Sequence, residues 1–195
     1  MRLTVGYASL RIWNKHSKDW RACNRCHLGR TAFKHVLVRG SLPADILFIG
    51  EAPGNTEDTL GLPFIGPAGR ILDALIKNAL LHKPYADYTY AITNILACIP
   101  RDEGGYPRAP VLEEASVCSP RVKDTIKICN PSLIVTLGAV AQRYVKKFSL
   151  VPPGVSLCDL YHPAYILRQG GENSLEFKRT LNNMAIALGE LNGKT

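Results

Sequence analysis

Residues Gly50 to Gly69 read GEAPGNTEDTLGLPFIGPAG, and the fold follows from what flanks them. The run before them, Asp45-Ile46-Leu47-Phe48-Ile49, is short, apolar and β-prone, which suits a strand buried on both faces of a parallel sheet. It stops at Gly50. Three prolines and four further glycines follow before Arg70, so the backbone turns repeatedly and can approach a ligand closely. An amphipathic helix is predicted next, from about Gly69 to Leu81, with Ile71, Leu72, Leu75, Ile76, Ala79 and Leu80 on one face. Strand, glycine-rich loop and helix make the ground plan of a ligand site at the carboxyl edge of an α/β sheet. Neither GxGxxG nor GxxxxGK[ST] is present, which removes the best support for a dinucleotide or Walker-type phosphate site.

Working outward, three more strands are predicted: Tyr88 to Thr93, ending at Asn94; Ser132 to Leu137, stopping at Gly138; and Val155 to Tyr161, ending at His162-Pro163. A candidate short strand lies at Val36 to Arg39. The helix after Val111 is expected to break near Ser119-Pro120, since Ser is a good N-cap and Pro suits the first helical position; a second helix then runs to about Ile128. Ala139 to Phe148 reads as a helix, and the last helix has Asn173 as its expected N-cap with Glu176 three residues on. Four strands alternating with helices predict a three-layer α/β/α sandwich around a mostly parallel four-stranded sheet with right-handed crossovers. Glu51, Asn94, Gly138 and His162 then fall just beyond four strand ends, on one edge, facing one crevice.

The 195 residues fit one domain, with a basic extension at 1–22 and a core over 23–191. With 46% apolar residues and a mean hydropathy of −0.02, disorder is excluded. The net charge of +8 is unevenly placed: residues 1–40 hold nine Lys/Arg against the single acid Asp19, and the remainder hold fifteen of each sign. That asymmetry points to a polyanion, most simply nucleic acid, or else to a solvated basic surface. The first residues lack the apolar run of a signal peptide, and no stretch approaches a membrane span, so a cytoplasmic protein with no membrane partner is expected.

In that compartment six cysteines suit metal ligation, core packing or redox chemistry better than disulfides. Cys23 and Cys26 form a CxxC, Cys98 follows the second strand, and Cys118 lies beyond a long Pro/Gly-rich loop, Pro100 to Pro110. Four thiolates so arranged can hold a 4Fe-4S cluster or a tetrahedral zinc ion, and spacing alone does not separate the two. Cys129 and Cys158 read as core residues.

GEAPG at 50–54, GLPFIGPAGRILD at 61–73, TNILAC at 93–98 and HPAYILR at 162–168 together resemble the family 4 uracil-DNA glycosylases, the iron-sulfur branch of that superfamily. The similarity runs from Cys23 to about Arg168, with the motifs in the family's order. It implies hydrolysis of the N-glycosidic bond of deoxyuridine in DNA, and it favours a 4Fe-4S cluster on Cys23, Cys26, Cys98 and Cys118 over zinc. Gly50, Ala52 and Glu57 belong by resemblance to the substrate loop, Glu57 as a weaker acid candidate there, Phe64 to the platform on which the base stacks, and Asn94 to the reading of the uracil edge. His162 resembles the family's donor to uracil O2. Glu51 is the best candidate for an acid near the sugar, unless its carboxylate instead ties down loop amides. Leu167 and Arg168 belong to the wedge that fills the base stack, and Arg101 and Arg108, with Arg25 and Arg30, are expected near the phosphate backbone.

Two departures stand out. The acidic run that family members often carry after GEAPG opens here with Asn55-Thr56, and the Cys98 to Cys118 separation is a little long for the family, so the intervening loop is expected to bulge outward. The resemblance leaves two rivals: a non-catalytic iron-sulfur DNA-binding module of the same fold, and a glycosylase for another deaminated base. A monomer acting on uracil-containing DNA is the leading expectation.

Overall fold

Every residue of strand β2 (Ile46–Gly50) is buried, and its side chains alternate between two cores. The computed structural model describes residues 5–81 and 87–192; residues 1–4 of the basic extension lie outside them. Five strands form the sheet: β1 (Arg39–Gly40), β2, β3 (Tyr90–Asn94), β4 (Leu133–Leu137) and β5 (Ser156–Leu160), in the order β1-β3-β2-β4-β5. All pairings are parallel except β1 with β3. The expected four-stranded sheet therefore gains an antiparallel edge strand of two residues, too short to carry an alternating pattern.

Leu47 and Ile49 of β2 and Ile134 of β4 face one core, shared with helices α5 (Leu112–Cys129) and α6 (Ala139–Lys147). Ile46, Phe48, Leu133 and Val135 face the other, built with α4 (Pro67–Leu80) and α8 (Leu175–Asn192). Helix α1 (Val5–Arg21) docks on α5, burying Trp20 and His16, so the extension is part of the domain from Val5 onward. Short helices α2 (His27–Thr31), α3 (Asn55–Leu60) and α7 (Pro163–Arg168) complete the fold. No described helix is long and apolar enough to cross a membrane.

Two helix boundaries differ from expectation. α5 runs unbroken through Pro120. Proline there leaves the Ser116 carbonyl without its helical donor, and the Ser119 hydroxyl donates to that carbonyl at 3.0 Å in its place. Before α8, Gly171–Asn173 form a 3₁₀ turn, and Ser174 rather than Asn173 caps the helix: its hydroxyl accepts from the Phe177 amide at 3.1 Å and donates to Gly171 O at 2.7 Å.

Candidate active site

Because β2 to β5 run parallel, their carboxyl ends open on one side, and a cavity of about 540 Å³ lies there. It brings together Glu51, Ala52, Glu57, Phe64, Asn94, Arg108, His162 and Arg168. Gly50 sits behind it. A Cβ on Gly50 would lie 2.4 Å from Asn94 Oδ1 and 2.5 Å from the Phe64 ring, closer than any side chain tolerates. Leu167 and Arg101 are not part of the wall; Leu167 is exposed on α7.

Asn94 ends β3 and is 1% exposed, yet its Oδ1 has no hydrogen-bond partner. A buried amide oxygen left unpaired costs roughly 1–3 kcal/mol. The arrangement persists because the neighbouring backbone is pinned: Ile95 N donates to Gly50 O at 2.8 Å and Leu96 N to Glu51 O at 3.1 Å.

His162 caps α7, its Nδ1 accepting from the Ala164 amide at 3.1 Å. The neutral ring must therefore carry its proton on Nε2. Burial, reinforced by Arg168, lowers the His162 pKa from 6.5 to about 4, so the ring is neutral at physiological pH. Its centroid lies 5.9 Å from that of Phe64. Phe64 adopts φ 53°, a conformation costly for a non-glycine residue.

The two loop acids play different parts. Glu57 accepts from Gly54 N at 3.2 Å, Ile65 N at 3.0 Å and Gly66 N at 2.8 Å. It fixes the turn that presents Phe64, the role the sequence reading held open for Glu51. Glu51 is half-buried; burial raises its pKa and Arg143 opposes the rise.

Arg101 and Arg108 are anchored within the protein. Arg108 forks onto the buried Glu114 at 2.6 and 3.0 Å, and Glu114 also accepts from Val111 N at 3.0 Å. Arg101 donates to Gly105 O at 2.9 Å and reaches the buried Asp58 at 3.3 Å; Asp58 in turn accepts from Phe33 N at 3.1 Å. These pairs stitch the Pro/Gly-rich loop to α3 and α5. Sequence reasoning missed Asp58 and Glu114; only Glu114, at the third position of a helix with acids in its first turn, left a local trace.

Cys23, Cys26, Cys98 and Cys118 line one small apolar cavity together with Trp20 and Leu28. All four are free thiols, and burial plus the three neighbouring sulfurs pushes the Cys98 thiol pKa strongly up. Such a cluster is unfavourable as thiolates unless a cationic group sits among them. Among the described residues, however, no three Cys, His, Asp or Glu side chains are placed to share a single metal ion. Cys129 and Cys158 are buried in the two cores, their thiol pKa values raised by burial to about 12 and about 11.

A pocket lined by an aromatic ring, a side-chain amide and an imidazole suits a nucleobase, which has π faces and an edge of alternating donors and acceptors. The family model of the uracil DNA glycosylase superfamily matches residues 37–185. The chain is 33% identical over 166 residues to a type-4 uracil-DNA glycosylase of Thermotoga maritima, covering 78% of this chain and 81% of that one. To the type-4 uracil-DNA glycosylase of Archaeoglobus fulgidus it is 30% identical, covering 91% and 92%. To that of Sulfurisphaera tokodaii it is 38% identical over 125 residues, 64% of this chain, and spans about half, 53%, of the relative's length. The chain belongs to the uracil-DNA glycosylase superfamily.

Proposed function

We propose that this chain is a DNA-repair glycosylase that hydrolyses the N-glycosidic bond of deoxyuridine, releasing uracil and leaving an abasic site. The single observation that carries the reading is Asn94, a buried residue whose Oδ1 has no hydrogen-bond partner and which lines a cavity together with His162. Uracil N3–H is the donor that oxygen lacks. The Asn94 amide NH₂ meets O4, so one side chain reads both groups of the edge. A base stacked in a duplex cannot reach this pocket, so the nucleotide swings out and stacks on Phe64.

As the bond from N1 to C1′ breaks, negative charge spreads onto the uracil and positive charge onto the sugar. A neutral His162 donates its Nε2 proton in a hydrogen bond to O2 and stabilises the departing anion without a competing proton transfer. Glu51, half-buried at the mouth of the same cavity, orients the water that attacks C1′ and accepts its proton. Leu167 and Arg168, exposed on α7, enter the space the base vacates.

Cys23, Cys26, Cys98 and Cys118 are the residues that would hold a 4Fe-4S cluster. Their gathering around one cavity supports a thiolate-held group there, and the resemblance to the family 4 enzymes favours the cluster over zinc. When bound, the group would supply a structural pin between the basic N-terminal segment, β3 and α5.

Asn94→Ala and His162→Ala, assayed on a uracil-containing duplex, test the assignment. Each is expected to lower single-turnover release about 10²- to 10³-fold while duplex affinity stays close to the parent's. If both variants matched a parent that releases uracil, the site assignment would be wrong. If no uracil were released and the parent bound the duplex alone, the protein would be a binding module.

A further inference from the structure

Arg121 on α5 is wholly buried, the largest side chain with no solvent access. Burying a guanidinium without a counter-charge is expensive. Its four contacts are Nε to Cys118 Sγ at 3.5 Å, Nη1 to Thr93 Oγ1 at 3.0 Å, and Nη2 to the carbonyls of Asn94 and of Ile95, the latter at 3.1 Å. None is a carboxylate. The sulfur of Cys118 is the one of these partners that belongs to the four-cysteine set.

One guanidinium thus touches two sites that are separate in sequence. On one side is a member of the four-cysteine set. On the other is the backbone at the end of β3, from which the Asn94 side chain projects with its unpaired oxygen. Thr93 Oγ1, which accepts from Arg121, itself donates to Leu37 O at 2.7 Å, so the strand end is gripped from both sides.

We propose that Arg121 is a positioning residue that links the four-cysteine site to the base pocket, its hydrogen bond to the Cys118 sulfur on one side and its fork on the end of β3 on the other holding Asn94 in its reading position. The proposal rests on the reading that the cysteines hold an iron-sulfur cluster and that Asn94 binds uracil. It adds that the two sites are coupled through this side chain.

The test compares Arg121→Lys and Arg121→Met with the parent, each purified anaerobically. Cluster potential and the rate at which visible absorbance bleaches under chelator report the charge. Affinity for free uracil, by calorimetry, reports Asn94. Loss of the positive charge in Arg121→Met should move the cluster's reduction potential to a more negative value and speed bleaching about tenfold or more. Arg121→Lys keeps the charge and should hold the potential near the parent's, yet bind uracil about tenfold more weakly, since one ammonium cannot replace the planar fork on Thr93 and the two carbonyls.

A residue that merely filled space or satisfied carbonyls would leave the potential unmoved. A parental potential and bleaching rate in Arg121→Met, or parental uracil affinity in Arg121→Lys, would overturn the proposal. Should Arg121→Met fail to fold, Arg121→Lys still decides the positioning arm. A parent that itself held no iron or bound no uracil would instead overturn the underlying reading, and the proposal with it.

Discussion

Gly50 and Asn94 end adjacent parallel strands in register, and the space above Gly50 is filled by the Asn94 amide oxygen and the Phe64 ring. The pocket floor is therefore a contact between a backbone and two side chains that line the cavity. Gly50→Ala is expected to push both away, lowering single-turnover uracil release about 10²-fold and costing about 1–3 kcal/mol of stability from overpacking. Rates beside a urea denaturation curve separate the two effects. Parental uracil release by Gly50→Ala would show that the floor yields.

His162 and His16 both carry folded pKa values near 4 against 6.5 unperturbed, chiefly through burial. Between those limits the unfolded chain binds more protons than the folded one, so stability is complete above about pH 6.5 and is lost as pH falls toward 4. Protonated His162 can no longer accept from the Ala164 amide, which uncaps α7 in the same window. Thermal denaturation from pH 8 to 4.5 should show a plateau and then a decline, shallower in His162→Gln. Uracil release should stay flat from pH 8 to 6; a rate that rose on acidification through pH 6 would identify the imidazolium as the working form.

Glu51 and Glu57 should respond differently to the same substitution. Glu57→Gln turns an NH₂ toward at least one of the three backbone N–H donors, since Gly54 N and the Ile65 and Gly66 pair bond different oxygens, and is expected to cost about 1–3 kcal/mol, loosening Phe64 and weakening uracil affinity. Glu51→Gln removes a carboxyl whose ionised form burial already disfavours. Its stability should be unchanged or slightly higher, while single-turnover release falls about 10²-fold. Equal loss of stability in both would contradict this division.

Among the arginines, Arg168 is exposed at the cavity wall, whereas Arg108 is committed to Glu114. Arg168→Ala should lower the slope of log affinity against log salt by about one. Arg108→Ala should leave that slope nearly unchanged and cost roughly 2 kcal/mol of folding stability, because Glu114 would remain buried without its cation. Fluorescence anisotropy at several salt concentrations and chemical denaturation distinguish them.

The sheet was legible in the sequence because β2 and β4 are apolar pentads, each ended by glycine, and because parallel strands bring their ends to one edge. Glu51, Asn94 and His162 could be placed at that edge from strand ends alone. β1 was only partly legible: the candidate strand at Val36 to Arg39 meets it at Arg39 alone, because two residues have no period to set its bounds. α5 looked broken because Pro120 normally ends a helix, and the compensating Ser119 hydroxyl bond depends on a rotamer. Arg121, Asp58 and Glu114 were hidden for another reason. Charged residues are solvated by default, and only long-range partners, 28 positions away for Arg121 and Thr93, make their burial tolerable.

The most direct test is single-turnover incubation of anaerobically purified protein with a labelled oligonucleotide carrying one uracil, followed by alkaline cleavage of abasic sites. The account predicts strand cleavage confined to the uracil position, with free uracil released in equal amount. No cleavage there, by protein whose visible absorbance shows an intact cluster, or cleavage only when another deaminated base replaces uracil, would contradict it.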